Sequence, residues 1–296
     1  MLYRQFDSQE AIDAEYQIER RVPDARDWLD FYIAASARAR DELACELEVP
    51  FGPTLAETLD IFPAAPGAPL LVFVHGGYWR RLSAREFSFV ARGLVAAGVS
   101  VAVTNYALCP RVTIAEITRQ SRAAIAWLYR HALAYGVDPA RIVVAGHSAG
   151  GHQVARLLQT AWEADYGLPG DIIKGGYALS GLFDLAPLRW SWLQPMLQLD
   201  GDMVARESPC RHLPERAPPL IAEVGGTESD EFHRQSREFI EAWRAAGLAG
   251  EYRTLGDCHH FDLIASLDES DGELTRRIAA FVASCTSGRT PGEGRP

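Results

Sequence analysis

Apolar residues recur in two different patterns, and stretches with one pattern alternate along the chain with stretches of the other. Short apolar runs rich in β-branched residues predict buried strands, at 70–74, 99–104, 141–145, 172–179, 220–224 and 251–255, and a strand with alternating polar residues is predicted at 55–62. Longer stretches with apolar residues three and four apart predict helices, at 84–97, 114–135, 151–158, 231–246 and 262–283. Repeated strand–helix units favour a mostly parallel central sheet with helices on both faces, which is an α/β fold.

Three segments depart from this alternation. Residues 1–45 have an amphipathic helical pattern and are expected to form an N-terminal helical extension. Residues 182–217 carry two tryptophans and several prolines, and we expect a small cap-like insertion over the edge where the parallel strands end. Residues 284–296 are polar and rich in glycine and proline, which is typical of a disordered tail. We therefore interpret residues 1–283 as a single domain.

Composition restricts the partner and the compartment. The formal net charge of the 296 residues is −10, which disfavours nucleic acid and anionic membranes because both require a basic face. The five cysteines form no C-x-x-C pair, which indicates free thiols in a reducing compartment. The sequence has no apolar leader and no run long enough to span a bilayer, so we expect a cytoplasmic protein. No metal-ligand motif is present, and we expect neither metal nor cofactor.

Residues 146–150 carry the strongest chemical motif. They read Gly-His-Ser-Ala-Gly, a match to G-x-S-x-G, between a predicted strand and a predicted helix. This setting is that of a nucleophile elbow, a sharp turn that needs small residues on both sides of the serine and exposes its hydroxyl above the sheet. Ser148 is therefore the candidate nucleophile. His147 and His152 are interpreted as packing or hydrogen-bonding residues.

A serine nucleophile needs a base to take its proton, and two histidines are placed to supply one. His259 and His260 follow the last predicted strand and precede the last helix, so they should overhang the sheet edge near the elbow. We prefer His260 as the base and keep His259 as its competitor.

The acid that orients the base should follow the strand predicted at 220–224. Glu228, Asp230 and Glu231 all lie there. The last two fall in the first turn of the next helix, where negative charge is favourable in any case. Spacing alone prefers Glu228 and leaves Asp230 open.

Donors for an oxyanion are expected from the segment after the strand at 70–74. Its sequence is His75-Gly76-Gly77-Tyr78-Trp79, and glycines at Gly76 and Gly77 let backbone N–H groups face the site. The N–H of Ala149, directly after the candidate nucleophile, would be the other donor. The aromatic residues proposed to bind substrate are Tyr78, Trp79, Trp190 and Trp192.

These motifs together resemble the α/β-hydrolase superfamily, and within it the arylformamidases (kynurenine formamidases) and their esterase relatives. The resemblance covers most of residues 10–283 and rests on four segments, which are HGGYW at 75–79, GHSAGGH at 146–152, SGLFDL at 180–185 and SDEFHRQS at 229–236. It implies that the triad acid stands just before Ser229, which is Glu228 where the family has Asp. It also implies that the catalytic histidine is His260, before Phe261, and leaves the role of His259 open.

The resemblance implies hydrolysis of an aryl N-formyl amide such as N-formylkynurenine, with release of formate. A carboxylesterase acting on short-chain or aryl esters is the alternative, because one fold hosts many substrates. A binding protein of this fold that has lost catalysis is the remaining hypothesis. The expected partner is a small aromatic substrate, and the assembly to be tested is a homodimer.

Overall fold

The fold is built on one eight-stranded sheet in the strand order β1-β2-β4-β3-β5-β6-β7-β8. The computed structural model describes residues 1–287, so residues 288–296 of the predicted tail lie outside the described part. The strands are β1 Glu46–Pro50, β2 Thr58–Phe62, β3 Ala68–Val74, β4 Ser100–Thr104, β5 Val137–His147, β6 Ile173–Leu179, β7 Leu220–Gly225 and β8 Gly250–Leu255.

Strand pairing confirms the mostly parallel sheet. β1 and β2 pair antiparallel, as do β2 and β4, and the strands from β4 to β8 pair parallel. β1 was not expected from the sequence. It is an edge strand whose residues are nearly all exposed, so it lacks the apolar run that identifies a buried strand.

Helices cover both faces of the sheet. They are α1 Gln9–Tyr16, α2 Ile18–Arg21, α3 Ala25–Glu42, α4 Val90–Ala96, α5 Ile114–His131, α6 Ala149–Leu158, α7 Trp162–Tyr166, α8 Gln194–Leu197, α9 Gly201–Glu207, α10 Asp230–Ala245 and α11 Glu273–Thr286. The first three of these helices occupy most of residues 9–42. In the part of the chain that the structure describes, no helix is long and apolar enough to cross a membrane.

Two predicted boundaries are wrong at the C-terminal end. The helix expected at 262–283 is a 3₁₀ segment, Asp262–Asp268, followed by α11. The first residues of the predicted disordered tail belong to that helix, which ends at Thr286. Thr286 is buried and its hydroxyl donates to the carbonyl of Val282, so packing extends the helix past the point where the apolar pattern stops.

The core has two layers, one on each side of the sheet. In β3, Leu70, Val72 and Val74 belong to one layer, and Leu71 and Phe73 to the other. A strand buried on both faces has no polar alternation, which explains its continuous apolar run. Because β3 to β8 are parallel, their carboxyl ends meet at one edge, and the candidate site residues lie on the loops there.

Candidate active site

Ser148 occupies a strained turn between β5 and α6. Its backbone has φ 57° and ψ −115°, a conformation that L-residues rarely adopt and that is typical of functional sites. Its N–H donates to the carbonyl of Leu179 at 2.7 Å. A Cβ at Gly146 would lie 2.4 Å from the Gly150 carbonyl oxygen, and one at Gly150 would lie 1.9 Å from that of Val74. The two glycines of the motif are therefore required by close backbone approach.

Glu228 and His260 form a buried acid–histidine pair. The Nδ1–H of His260 donates to Oε2 of Glu228 at 2.6 Å. The other oxygen of Glu228 accepts from the backbone N–H of Gly225 at 2.8 Å and from the hydroxyl of Ser180. The side chains of His260 and Glu228 are 4% and 1% exposed. The carboxylate is thus fixed by three donors, and the histidine is left with Nε2 for other chemistry.

The competing carboxylates make different contacts. Asp230 is exposed in the first turn of α10. Glu231 is buried, and accepts from the guanidinium of Arg234 at 2.6 Å and the hydroxyl of Tyr16 at 2.7 Å. The structure therefore brings Glu228 to the histidine and neither of its competitors.

His260, and not His259, faces Glu228 and the elbow. The ring of His260 packs on that of His147, the residue before Ser148, with centroids 4.5 Å apart. The ring of Phe232 also packs on His260, with centroids 4.8 Å apart. His259 turns its Nδ1 toward the backbone N–H groups of Phe261 and Asp262, each at 3.1 Å. The competitor is thus engaged in holding its own loop.

Burial keeps the neighbouring histidines neutral. Burial lowers the pKa of His147 well below its usual value, and the adjacent His260 lowers it further. Burial also lowers the pKa of His152 to about 3, although Nε2 of this ring meets the carbonyl of Glu207 at 2.7 Å. The pKa of His75 falls to about 4 for the same reason, and its ring stacks on Tyr106 at 4.0 Å. The side chains of these three histidines are all buried in the protein interior.

The expected oxyanion segment lies against the elbow. A Cβ at Gly76 would lie 3.3 Å from Cβ of Ser148. Gly77 has φ +112°, and a Cβ there would lie 2.2 Å from the carbonyl oxygen of Arg81. Ala149 is buried and is the first residue of α6, where helix N–H groups are unpaired. Gly76 therefore lies beside Ser148 and Ala149 follows it in the chain, whereas the close neighbour of Gly77 is Arg81.

Backbone strain is concentrated at this edge of the sheet. Among the described residues, the non-glycine positions with positive φ at the site are Tyr78, Trp79, Leu82, Ser148 and Ser180. Such conformations persist only where surrounding contacts determine them, and they cluster at functional sites.

Two of the four proposed substrate-binding aromatics line a cavity. Tyr78 and Trp192 border a cavity of about 200 Å³, with ring centroids 6.1 Å apart. Trp79 is fully buried against His152 and does not border this cavity. Trp190 does not border it either; its side chain is 41% exposed beneath the guanidinium of Arg189. The structure thus brings Tyr78 and Trp192 together and leaves the other two tryptophans apart.

The site is covered mainly by residues 15–26, which we call the N-terminal cover. Ile18 borders both the Tyr78 cavity and a cavity of about 180 Å³ lined by Glu228 and His260. The hydroxyl of Tyr78 donates to the carbonyl of Tyr16 at 2.7 Å. Ser148 itself is only 2% exposed.

The insertion at 182–217 contributes less of this cover than the sequence suggested. It supplies Trp192 to the cavity, and the backbone N–H of this residue donates to Asp13 of α1 at 2.8 Å. The insertion therefore shares this edge with the N-terminal cover, which the sequence analysis did not place there. The amphipathic pattern of residues 1–45 indicated helices but gave no information on what they cover.

Sequence reasoning also missed Ser180 and Arg81. Ser180 was noted in the segment SGLFDL, but nothing in the sequence indicated that its hydroxyl reaches Glu228. Arg81 borders the Tyr78 cavity, and its position close after HGGYW was the only available signal.

Comparison with known proteins agrees with this geometry. The BD-FAE family model matches residues 59–167. A kynurenine formamidase from Danio rerio is 28% identical over 93% of this chain and 97% of the relative. The esterase LipQ from Mycobacterium tuberculosis is 29% identical over 74% of this chain and 58% of the relative. A solved structure from Silicibacter sp. TM1040, described as a candidate thioesterase, is 31% identical with a TM-score of 0.79, over 90% of this chain and 97% of its own.

The strand order, the strained serine turn and these relatives agree with one another. This chain is a hydrolase of the α/β-hydrolase superfamily, related to kynurenine formamidases and esterases.

Proposed function

We propose that this hydrolase cleaves an aryl N-formyl amide such as N-formylkynurenine through an acyl-enzyme and releases formate. The observation that carries the proposal is the Glu228–His260 pair, bonded at 2.6 Å and packed beside the strained turn of Ser148. The likeness to the Danio rerio kynurenine formamidase, which extends over nearly both full chains, supports the choice of substrate.

In the first half of the reaction, His260 takes the proton of Ser148 on Nε2 as the hydroxyl attacks the formyl carbon. Glu228 holds the imidazole in the tautomer with Nδ1 protonated and stabilises the cation that forms. Backbone N–H groups of Gly76 or Gly77, together with that of Ala149, hold the oxyanion. His260 then protonates the departing aryl amine.

In the second half, water attacks the formyl ester of Ser148 with His260 again as base, which releases formate and restores the serine. A formyl group needs little space, whereas the aryl amine needs a large aromatic site. The cavity between Tyr78 and Trp192 has a suitable lining for that ring.

The second candidate function is a carboxylesterase for short-chain or aryl esters, favoured by the similarity to LipQ. The same residues would perform it, because ester and amide hydrolysis share the tetrahedral intermediate. Comparing kcat/KM for N-formylkynurenine with that for p-nitrophenyl acetate distinguishes the two. A preference for the ester by several orders of magnitude would refute the formamidase assignment.

The experiment that tests the mechanism is Ser148→Ala. We expect kcat to fall by about 10⁴-fold or more on every substrate that the wild-type protein hydrolyses, and labelling by a fluorophosphonate probe to disappear. Ser270→Ala, an exposed position just before α11, is the matched control and should keep both. An unlabelled wild-type protein would favour the hypothesis of a binding protein without catalysis.

We also propose that the protein acts in the cytoplasm. All five cysteines are free thiols, which fits a reducing compartment. Cell fractionation with an antibody to the chain tests this, and recovery in an oxidising compartment would contradict it.

A further inference from the structure

The cavities beside the oxyanion segment are lined by more arginines than carboxylates. Arg81 borders the Tyr78 cavity and a second cavity of about 380 Å³. Arg20 borders the first and Arg26 the second, and Glu19 is the acidic residue that borders both. In a chain with a net charge of −10, this is a local excess of positive charge at the candidate site.

The guanidinium of Arg81 is paired with the N-terminal cover. Its Nη1 group forms an ion pair with Glu19, whose side chain is 50% exposed. Partly exposed pairs of this kind contribute little to stability and exchange readily. A carboxylate supplied by a small molecule could therefore take the place of Glu19.

Arg81 and its neighbour retain unused hydrogen-bond donors. The Nε atoms of Arg80 and Arg81 are buried and have no hydrogen-bond partner among the described residues. Unpaired buried donors of a charged group are costly, and a carboxylate is the acceptor whose geometry matches the guanidinium fork. The guanidinium of Arg80 lies 4.6 Å from the ring of Trp192, so the same region offers both cationic and aromatic surfaces.

The backbone of Arg81 is fixed to the oxyanion segment. Its N–H donates to the carbonyl of Gly77 at 3.2 Å, and its own carbonyl oxygen would meet a Cβ at Gly77 at 2.2 Å. A charged group mounted on the loop that holds the oxyanion can orient a substrate with respect to the reacting carbonyl.

We propose that Arg81 binds a carboxylate carried by the aryl leaving group of the substrate, which replaces Glu19 as its partner. The substrate class is thus an aromatic acid bearing a formamide or an ester, with its ring between Tyr78 and Trp192. This inference rests on the proposed function, since it concerns the same site. It names the leaving-group charge that the site selects.

The test compares matched substrates on the Arg81→Gln variant. The substrates are the meta and para isomers of formamidobenzoate and acetoxybenzoate, each paired with its neutral carboxamide. For at least one isomer, we expect the variant to raise KM for the carboxylate about 10- to 100-fold, as for loss of a charge-assisted hydrogen bond, and to change KM for the carboxamide less than about threefold. Arg81→Lys should restore part of the preference, since it keeps the charge but loses the fork.

Glu19→Gln supplies the opposite change. Removing the competing carboxylate should lower KM for the carboxylate substrates severalfold and leave the carboxamides unchanged. Arg130→Gln is the control for net charge, because this exposed residue lies in the last turn of α5, near the opposite edge of the sheet. It should leave all the KM values unchanged.

Two outcomes would overturn the proposal. One is that Arg81→Gln weakens carboxylate and carboxamide equally, which would indicate a structural role, and the other is that it changes neither. The ester pairs separate this failure from failure of the proposed function. If no formamide is hydrolysed but the esters are, the formamidase assignment fails. The ester pairs then still decide whether Arg81 binds the carboxylate.

Discussion

The reacting edge of the sheet and the N-terminal cover are held in place by different kinds of contact. At the edge, backbone meets backbone, as where Gly150 approaches the carbonyl of Val74 and the N–H of Ser148 donates to the carbonyl of Leu179. The N-terminal cover is held mainly by side chains reaching across the fold, from Tyr16 to Glu231 and from Tyr78 to the carbonyl of Tyr16.

This difference assigns separate tasks to the two regions. Backbone contacts at the edge leave little room for an alternative arrangement, and they fix the position of the Ser148 backbone. Side-chain pairs can be exchanged one at a time, so the contacts of the cover can change without disturbing the backbone contacts of the edge. A rigid catalytic edge beneath an exchangeable cover is a common arrangement in enzymes that exclude water.

Replacing the acid should produce the largest effect. In Glu228→Gln, the amide can no longer fix the His260 tautomer with Nδ1 protonated or stabilise the imidazolium, and kcat should fall about 10³- to 10⁴-fold. Steady-state kinetics at neutral pH measure this. Asp230→Asn, two residues away and exposed, should stay within about twofold of wild type, and a loss below tenfold in Glu228→Gln would remove Glu228 from the mechanism.

Adding one methyl group at the elbow should disrupt the rigid edge. Alanine normally favours a helix over glycine, but the Cβ of Gly150→Ala would lie 1.9 Å from the carbonyl oxygen of Val74. We expect a loss of about 3 kcal/mol in the free energy of unfolding, measured by urea titration. Gly170→Ala, whose Cβ would meet its nearest neighbour at 4.0 Å, should change stability by less than about 1 kcal/mol. Equal stabilities would show that the elbow can relax.

Loosening the cover should have a smaller effect on stability than distorting the edge. Tyr16→Phe removes the hydroxyl that donates to Glu231 and accepts from Gln235. The expected loss is about 1–2 kcal/mol, with faster amide hydrogen exchange in α1 and α2. Tyr166→Phe on α7 is the matched control and should not alter exchange there. If exchange instead rises equally across the sheet, the cover is not an independent unit.

The smallest expected effect concerns pH. His152 has a pKa of about 3 when folded, against a usual value near 6.5. Between these values the unfolded chain binds a proton that the folded chain does not. Its contribution to stability is therefore complete above pH 6.5 and is lost as pH falls toward 3. In His152→Gln, the drop in Tm from about pH 7 to about pH 5 should shrink, whereas His131→Gln, exposed at the end of α5, should keep the wild-type drop.

Much of the site could be predicted because its residues occupy fixed points of a repeating pattern. Strand–helix alternation placed Ser148, Glu228 and His260 at one edge of the sheet, in the order that this fold requires. The choice of Glu228 over Asp230 needed the resemblance, since spacing left both open. Contacts between segments that are distant in the chain could not be predicted from the sequence. The hydrogen bond from the hydroxyl of Ser180 to Glu228 is an example, because the two residues are 48 positions apart.

Dependence on distant contacts also explains why two of the four proposed substrate-binding aromatics do not border the Tyr78 cavity. Trp79 and Trp190 were selected as aromatic residues near the motifs, but packing buried one against His152 and left the other exposed. Side-chain direction after a loop depends on backbone angles such as the positive φ of Trp79, which local sequence does not specify.

The sequence by itself determined the α/β architecture, the glycine-flanked serine turn and the pair of histidines, His259 and His260, that contains the candidate base. These follow from the local spacing of apolar residues and from short-range steric requirements, both of which act between neighbours in the chain. Only the tertiary structure decided which N-terminal residues line the cavities, which aromatic rings border them and how Arg81 is paired. Those outcomes depend on contacts between segments far apart in the chain, and they are set by how the whole core packs.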